Sequence, residues 1–212
     1  EVSVTSMPSS APAATVIGKG FKTSVQNAAL ANGCLGHFED YDDTHTTLIH
    51  PSAPIFPGAL ALSEQRTVSG EDFLAAFAVG VEVACRIGLV LVEHFREGAA
   101  HWHITNTCGV LGAAAAAGRL LKLNQGQMVY AFAIAGTQAS GLREVFGSMC
   151  KPFHAGKAAQ NGTLAALLAQ RGFTGTDGIF EGARGLVGVM ASGHDISEAT
   201  KDQLTIPVET KL

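Results

Sequence analysis

Charged residues are scarce in this chain of 212 residues, since Asp, Glu, Lys and Arg together make up only 15%, against about 25% in an average soluble domain. Hydrophobic residues account for 47%, which excludes an intrinsically disordered chain and is enough for one sizeable core. Lys and Arg form no run and the net charge is −4, so neither a nucleic-acid-binding protein nor a polybasic membrane anchor is expected. The low charge predicts that surface is buried against another chain.

Cysteine is also sparse. The four residues Cys34, Cys85, Cys108 and Cys150 lie far apart, and no two have the C-x-x-C spacing of a zinc or iron–sulfur site. Free thiols are therefore expected, and with them a reducing, cytoplasmic location.

The most apolar stretch, residues 73–92, is long enough to span a bilayer. Glu82 and Arg86 interrupt it one helical turn apart, where two charges are costly in lipid but can pair in water. We interpret the stretch as a buried core helix and expect no membrane association.

Helical patterns dominate the chain after an irregular lead-in predicted for residues 1–23, which contains a short β-like piece at 15–17. No segment shows period-2 alternation over several strands, so the predicted class is all-α with about six helices. The predicted helices cover residues 24–39, 54–65, 69–96, 107–121, 124–138 and 154–170. The Gly- and Ala-rich helix at 107–121 is expected at the centre, packed on all sides.

The first concentration of polar residues is EDYDDTH at 39–45, followed by His50-Pro51-Ser52. If the first helix continues, Asp40 and Thr44 lie one turn apart and share a face. A solvated helix end, a metal site or a catalytic site would each explain four acids within five positions. Acids at a helix C-terminus oppose the helix dipole, which weighs against the first explanation.

Two further segments join polar side chains to predicted helix starts. Residues 101–105, HWHIT, hold the single Trp directly before the Gly/Ala-rich helix, where free backbone N–H groups suit an anion and a histidine suits acid/base work. Residues 147–156 place Lys151 at a loop–helix junction, where a cation suits a carboxylate. A capping loop and an exposed loop lysine are the alternatives.

These motifs in this order resemble the MmgE/PrpD family, which includes 2-methylcitrate dehydratase, cis-aconitate decarboxylase and iminodisuccinate epimerase. The resemblance begins near Thr15 and covers nearly the whole chain after it. Its matching segments are 40–45, 50–52, 69–70, 80–83, 86–87, 102–103, 105, 109–114, 135–142, 151–159, 172–175 and 180–182.

The resemblance implies a homodimeric lyase that acts on a small di- or tricarboxylate, with dehydration of a 2-methylcitrate-like substrate as the first expectation. Decarboxylation and epimerisation are alternatives within the family, and no metal or other cofactor is implied. The implied site residues are, for catalysis, His103, His50 and Asp40 and, for substrate binding, Lys151, Thr44 and His154.

Family members are about twice as long and close their active site with a smaller α+β lid domain. We therefore expect a helical domain over residues 24–205 and the start of a connection to an absent lid at 206–212. A non-catalytic helical scaffold is one alternative. A magnesium-dependent prenyl-diphosphate enzyme is another, but it needs a second acidic motif on a facing helix, which the sequence lacks.

Overall fold

The computed structural model describes residues 12–94, 101–191 and 195–201, so the expectation for 206–212 lies outside the described residues. Within them the fold is predominantly α, as predicted. Its elements are β1 Ala14–Val16, β2 Phe21–Thr23, α1 Val25–Gly36, α2 Ser52–Glu64, α3 Gly70–His94, α4 Ile104–Leu120, α5 Gln125–Gly136, α6 Cys150–Gln170 and α7 Leu186–Met190, with 3₁₀-helices at Arg143–Val145 and Ile196–Thr200. Helices α1–α6 correspond to the six predicted helices.

Helix α4 forms the centre of the domain, since every residue from Ile104 to Gly118 is buried. Its small residues permit close helix crossings. A Cβ atom on Gly112 would lie 2.6 Å from the Gly80 carbonyl oxygen of α3, and one on Gly162 of α6 would overlap the α4 backbone. The middle of α4 is therefore packed tightly against both α3 and α6.

The described part of the lead-in is more regular than expected. Strands β1 and β2 pair in an antiparallel hairpin, with Ala14 opposite Thr23. The Asn32 side chain of α1 accepts a hydrogen bond from the Ile17 N–H and donates one to the Thr15 carbonyl, each at 2.9 Å. The hairpin is therefore stabilised by a long-range contact that the local composition does not reveal.

Helix α1 ends earlier than predicted. It was expected to reach residue 39, but it stops at Gly36, and Asp40 has a φ of 55°, which is incompatible with a continuing right-handed helix. Asp40 and Thr44 therefore do not share a helical face. They lie in the loop 37–51, which connects α1 to α2.

Helix α3 contains the apolar stretch. Among the described residues, it is the one helix whose length and composition would allow it to cross a membrane. Half of the residues in this apolar part of α3 are buried inside the domain. The Arg86 Nε atom lies 2.5 Å from Glu82 Oε1, which is the expected one-turn pair, and the guanidinium also donates to the carbonyls of Ala199 and Lys201. The absence of membrane association stays a prediction.

Candidate active site

Three segments distant in sequence meet around one cavity of about 490 Å³. They are the loop 37–51, the start of α4, and the segment from the 3₁₀-helix at Arg143–Val145 to the first turn of α6. The lining residues are Asp40, Thr44, Leu48, His50, Trp102, His103, Ile104, Arg143, Phe146 and Lys151. Five of the six residues implied by the resemblance therefore share this cavity.

Hydrogen bonds to the starts of α4 and α2 hold the loop 37–51 in place. The His50 N–H donates to the Thr105 hydroxyl of α4 at 3.1 Å, which places His50 next to the start of that helix. Asp43 Oδ1 accepts from the Ser52 N–H at 3.0 Å and satisfies a free donor at the start of α2. Leu48 has a φ of 63°, so the loop turns sharply before it reaches His50.

Asp40 and Lys151 form an ion pair across the cavity, with the Lys151 Nζ donating to Asp40 Oδ1. That hydrogen bond outweighs the effect of burial and lowers the pKa of the Asp40 carboxyl. Lys151 lies in the first turn of α6, as expected for a loop–helix junction. The pair brings together two predicted site residues that are 111 positions apart.

His103 is the most deeply buried predicted residue, with 5% of its surface exposed. Its backbone N–H donates to the Gly141 carbonyl at 2.7 Å, and the Nδ1 atom of its ring lies 3.0 Å from the Nδ1 of His154. Burial first, and then electrostatic repulsion from Lys151 and the neighbouring histidines, lower the pKa of His103 to about 2. The ring is therefore neutral at neutral pH in the empty cavity.

His154 and Thr44 occupy less direct positions. His154 does not line the cavity, but it contacts His103, which does. Burial lowers the pKa of His154 as well. Thr44 lines the cavity, with its hydroxyl 3.5 Å from His50 Nδ1.

Sequence reasoning missed three polar side chains of this region. Arg143 lines the cavity, with its guanidinium 5.2 Å from the centre of the Phe146 ring. His37 is fully buried and its ring stacks on that of His103, with centroids 5.6 Å apart. Asp42 lies between His37 and His50. Arg143 directly follows a matching segment, and Asp42 was within the acidic cluster, so weak signals for both existed.

The ligand atoms of His37, Asp40, Asp42 and His50 all lie within 4.8 Å of one another, a spacing that could hold a metal ion. The charges in the described residues work against a cation, because the Lys151 ammonium group already pairs with Asp40 and His37 already pairs with Asp42. The arrangement is better suited to proton transfer beside an anion, where imidazoles and an ammonium group act together.

A helical domain with two histidines, a carboxylate and two cations around one cavity defines a class of domain suited to acid/base chemistry on an anion. The chain belongs to the MmgE/PrpD family, because the family model of the MmgE/PrpD N-terminal domain matches residues 2–199. The family resemblance inferred from the motifs is thus confirmed.

Curated relatives include cis-aconitate decarboxylases. The protein of Mus musculus is 36% identical over 182 residues, which are 82% of this chain and 36% of the relative. That of Aspergillus terreus is 35% identical over 182 residues, with the same coverage of both chains. That of Homo sapiens is 35% identical over 158 residues, which are 73% of this chain and 33% of the relative. The chain spans about a third of the length of these relatives.

Proposed function

We propose that this chain supplies the histidine-based acid/base centre of a lyase that acts on a small di- or tricarboxylate. The observation that carries the proposal is the meeting of His50, His103 and the Asp40–Lys151 pair around one cavity. Membership of a family with decarboxylase relatives supports the same class of reaction.

The cavity has the charges that a multiply anionic substrate requires. Lys151 and Arg143 both line it, and Asp40 neutralises part of the Lys151 charge when the cavity is empty. The Lys151 ammonium group has three donor hydrogens, so it can bind a substrate carboxylate and Asp40 at the same time, while a second substrate carboxylate pairs with Arg143. We assign Thr44 and His154 to substrate binding and positioning around these two cations.

Proton transfer is assigned chiefly to His103, with His50 as a second proton carrier. Burial keeps His103 neutral in the empty cavity, but a bound anion favours its protonated form and raises its pKa. Decarboxylation breaks a bond between carbon and a carboxylate, releases carbon dioxide and leaves an electron pair that a proton must join. A protonated imidazole beside that carbon supplies the proton.

The names of the relatives favour cis-aconitate as the substrate and decarboxylation as the reaction. Dehydration of a 2-methylcitrate-like substrate, the first expectation from the motifs, is the second candidate. The two histidines that line the cavity, His50 and His103, support it, because dehydration begins when a base removes a proton next to a carboxylate. The same cavity could serve both reactions, and a direct comparison of the two substrates decides between them.

The test of the proposed centre is turnover of cis-aconitate and 2-methylcitrate by the full-length protein and two variants. His103→Gln is expected to lower kcat by about 10²–10⁴-fold, because it removes the proton carrier and retains an amide of similar size. The matched control is His101→Gln, since His101 is exposed two positions away and does not line the cavity. Equal turnover in both variants would contradict the assignment.

We also propose that the protein is a cytoplasmic homodimer, from the low charge of the chain and its free cysteines. Light scattering coupled to size-exclusion chromatography tests the dimer, and fractionation of the source cells tests the location. A non-catalytic scaffold is the alternative that absence of turnover in the full-length protein would favour.

A further inference from the structure

Asp42 lies between two histidine rings of the site without lining the cavity itself. Its Oδ2 atom is 2.7 Å from His37 Nδ1, and its Oδ1 atom is 3.4 Å from His50 Nδ1. Only 8% of the Asp42 side chain is exposed. Burial raises the pKa of this carboxyl, but the contacts with His37 and His50 outweigh it and hold the pKa well below its ordinary range, so Asp42 is ionised.

The two oxygens of Asp42 are used differently. Oδ2 accepts a short hydrogen bond from His37, whereas Oδ1 is buried and makes no hydrogen bond of normal length within the described residues. A buried carboxylate oxygen without a donor is unfavourable, and the Nδ1 of His50 lies 3.4 Å from Oδ1 as a candidate donor. The two atoms are 3.4 Å apart without forming a hydrogen bond in the empty site, and catalytic hydrogen bonds are often long or poorly aligned before substrate binds.

An ionised carboxylate can only accept hydrogen bonds, so a histidine nitrogen that contacts it must carry the hydrogen. With the hydrogen at Nδ1, the neutral His50 ring keeps a lone pair at Nε2, and the protonated ring carries its exchangeable proton there. The Thr44 hydroxyl, 3.5 Å from the same Nδ1, can also accept from it. The backbone bond from His50 to Thr105 fixes the position of the residue while Asp42 fixes the ring.

We propose that Asp42 is a positioning residue that holds His50 with its hydrogen on Nδ1, so that Nε2 is the atom that exchanges protons with the substrate. The role of His50 as a proton carrier rests on the proposed function. The position of the hydrogen on the His50 ring does not. His37 completes the arrangement: it anchors Oδ2 from the buried side, so that Oδ1 stays directed at His50.

The first test needs no variant. Nitrogen-15 NMR of the histidine rings in the full-length wild-type protein distinguishes the two neutral forms, and His50 is assigned by comparison with His50→Gln. We expect the neutral His50 ring to carry its hydrogen on Nδ1 and a lone pair on Nε2. A neutral ring with its hydrogen on Nε2 would overturn the proposal, whatever the activity of the protein.

The second test is kinetic and uses Asp42→Asn, which keeps the shape of the side chain but can present an amide N–H to His50. We expect kcat on cis-aconitate to fall by about 10²-fold or more while KM stays within about threefold, because Asp42 acts through His50 and does not line the cavity. The matched control is Asp43→Asn, which removes a neighbouring negative charge whose oxygen accepts from Ser52 instead. Asp43→Asn is expected to keep kcat within about threefold.

Equal losses in Asp42→Asn and Asp43→Asn, or an Asp42→Asn variant with wild-type kcat, would overturn the proposal. If the wild type turns over no tricarboxylate, the proposed function fails, and the NMR measurement still decides the role of Asp42.

Discussion

Helices α1 and α6 cross at Gly33 and Gly156, and we predict that Gly156→Ala destabilises the protein and disturbs the site together. A Cβ atom on Gly156 would lie 2.5 Å from Cys34 Sγ and 2.9 Å from the Cys34 backbone nitrogen, and it would overlap the Leu30 carbonyl. A Cβ on Gly33 would lie 2.7 Å from the Gly156 Cα, so the contact is tight from both sides.

The magnitude follows from what blocks the new methyl group. The obstacles are largely backbone atoms of α1, which cannot rotate away, so α1 must shift by about 1 Å to restore ordinary contact distances of roughly 3.5–4.0 Å. Overpacking of this kind costs up to about 3 kcal/mol, and the better helix propensity of Ala returns about 1 kcal/mol. We expect the free energy of unfolding to fall by about 2 kcal/mol.

The same shift reaches the site, because His37 follows the end of α1 directly while Lys151 and His154 belong to α6. Turnover should therefore fall along with stability. Urea unfolding followed by circular dichroism measures the first effect as a lower midpoint with an unchanged slope. The control is Gly36→Ala, also in α1, where a Cβ atom meets nothing within 4 Å and stability should be unchanged or slightly raised. A Gly156→Ala variant as stable as Gly36→Ala would refute the reasoning.

Two further predictions concern charge. In the folded protein, the pKa values of three histidines are lowered: His103, His154 and His45. The unfolded chain therefore binds protons first as the pH falls below about 6.5, and the free energy of unfolding should decrease from pH 7 to pH 5. The buried His103 alone contributes up to about 1.4 kcal/mol per pH unit to this decrease. Urea midpoints across this range check the slope, which should be smaller in His103→Gln, and a constant midpoint would contradict the lowered pKa values. Lys151→Ala should raise KM for cis-aconitate by about 10–100-fold, because a charge-assisted hydrogen bond to a carboxylate is lost. Lys157→Ala, on the same helix but outside the cavity, should leave KM unchanged, and a matching rise in both would argue against carboxylate binding at Lys151.

The helical fold could be predicted from the sequence because its signals are local. Capping residues and apolar spacing mark the starts of α3 and α5, where Ser69 and Asn124 accept hydrogen bonds from backbone N–H groups of the first turn. The end of α1 could not be predicted this way. The residue that follows the helix, His37, is buried with its ring stacked on that of His103, a contact between residues far apart in the chain that no local pattern shows.

The candidate site could also be predicted from the sequence only in part. His50, His103, Asp40, Thr44 and Lys151 could be named from short motifs, and the structure brings them to one cavity. His37 and Asp42 could not be given their places, since an acid within a cluster of acids looks solvated until tertiary packing buries it. Arg143 lies in a 3₁₀-helix with no motif of its own, and the fold alone places it beside Phe146.

The most direct test of the proposed acid/base centre is proton NMR of cis-aconitate incubated in heavy water with the full-length protein. The account predicts loss of carbon dioxide and a product that carries one deuterium from the solvent at the carbon that receives the proton, with His103→Gln far slower than His101→Gln. If cis-aconitate remains unchanged and undeuterated, the cavity formed by His50, His103 and Lys151 is not a site of proton transfer to this tricarboxylate.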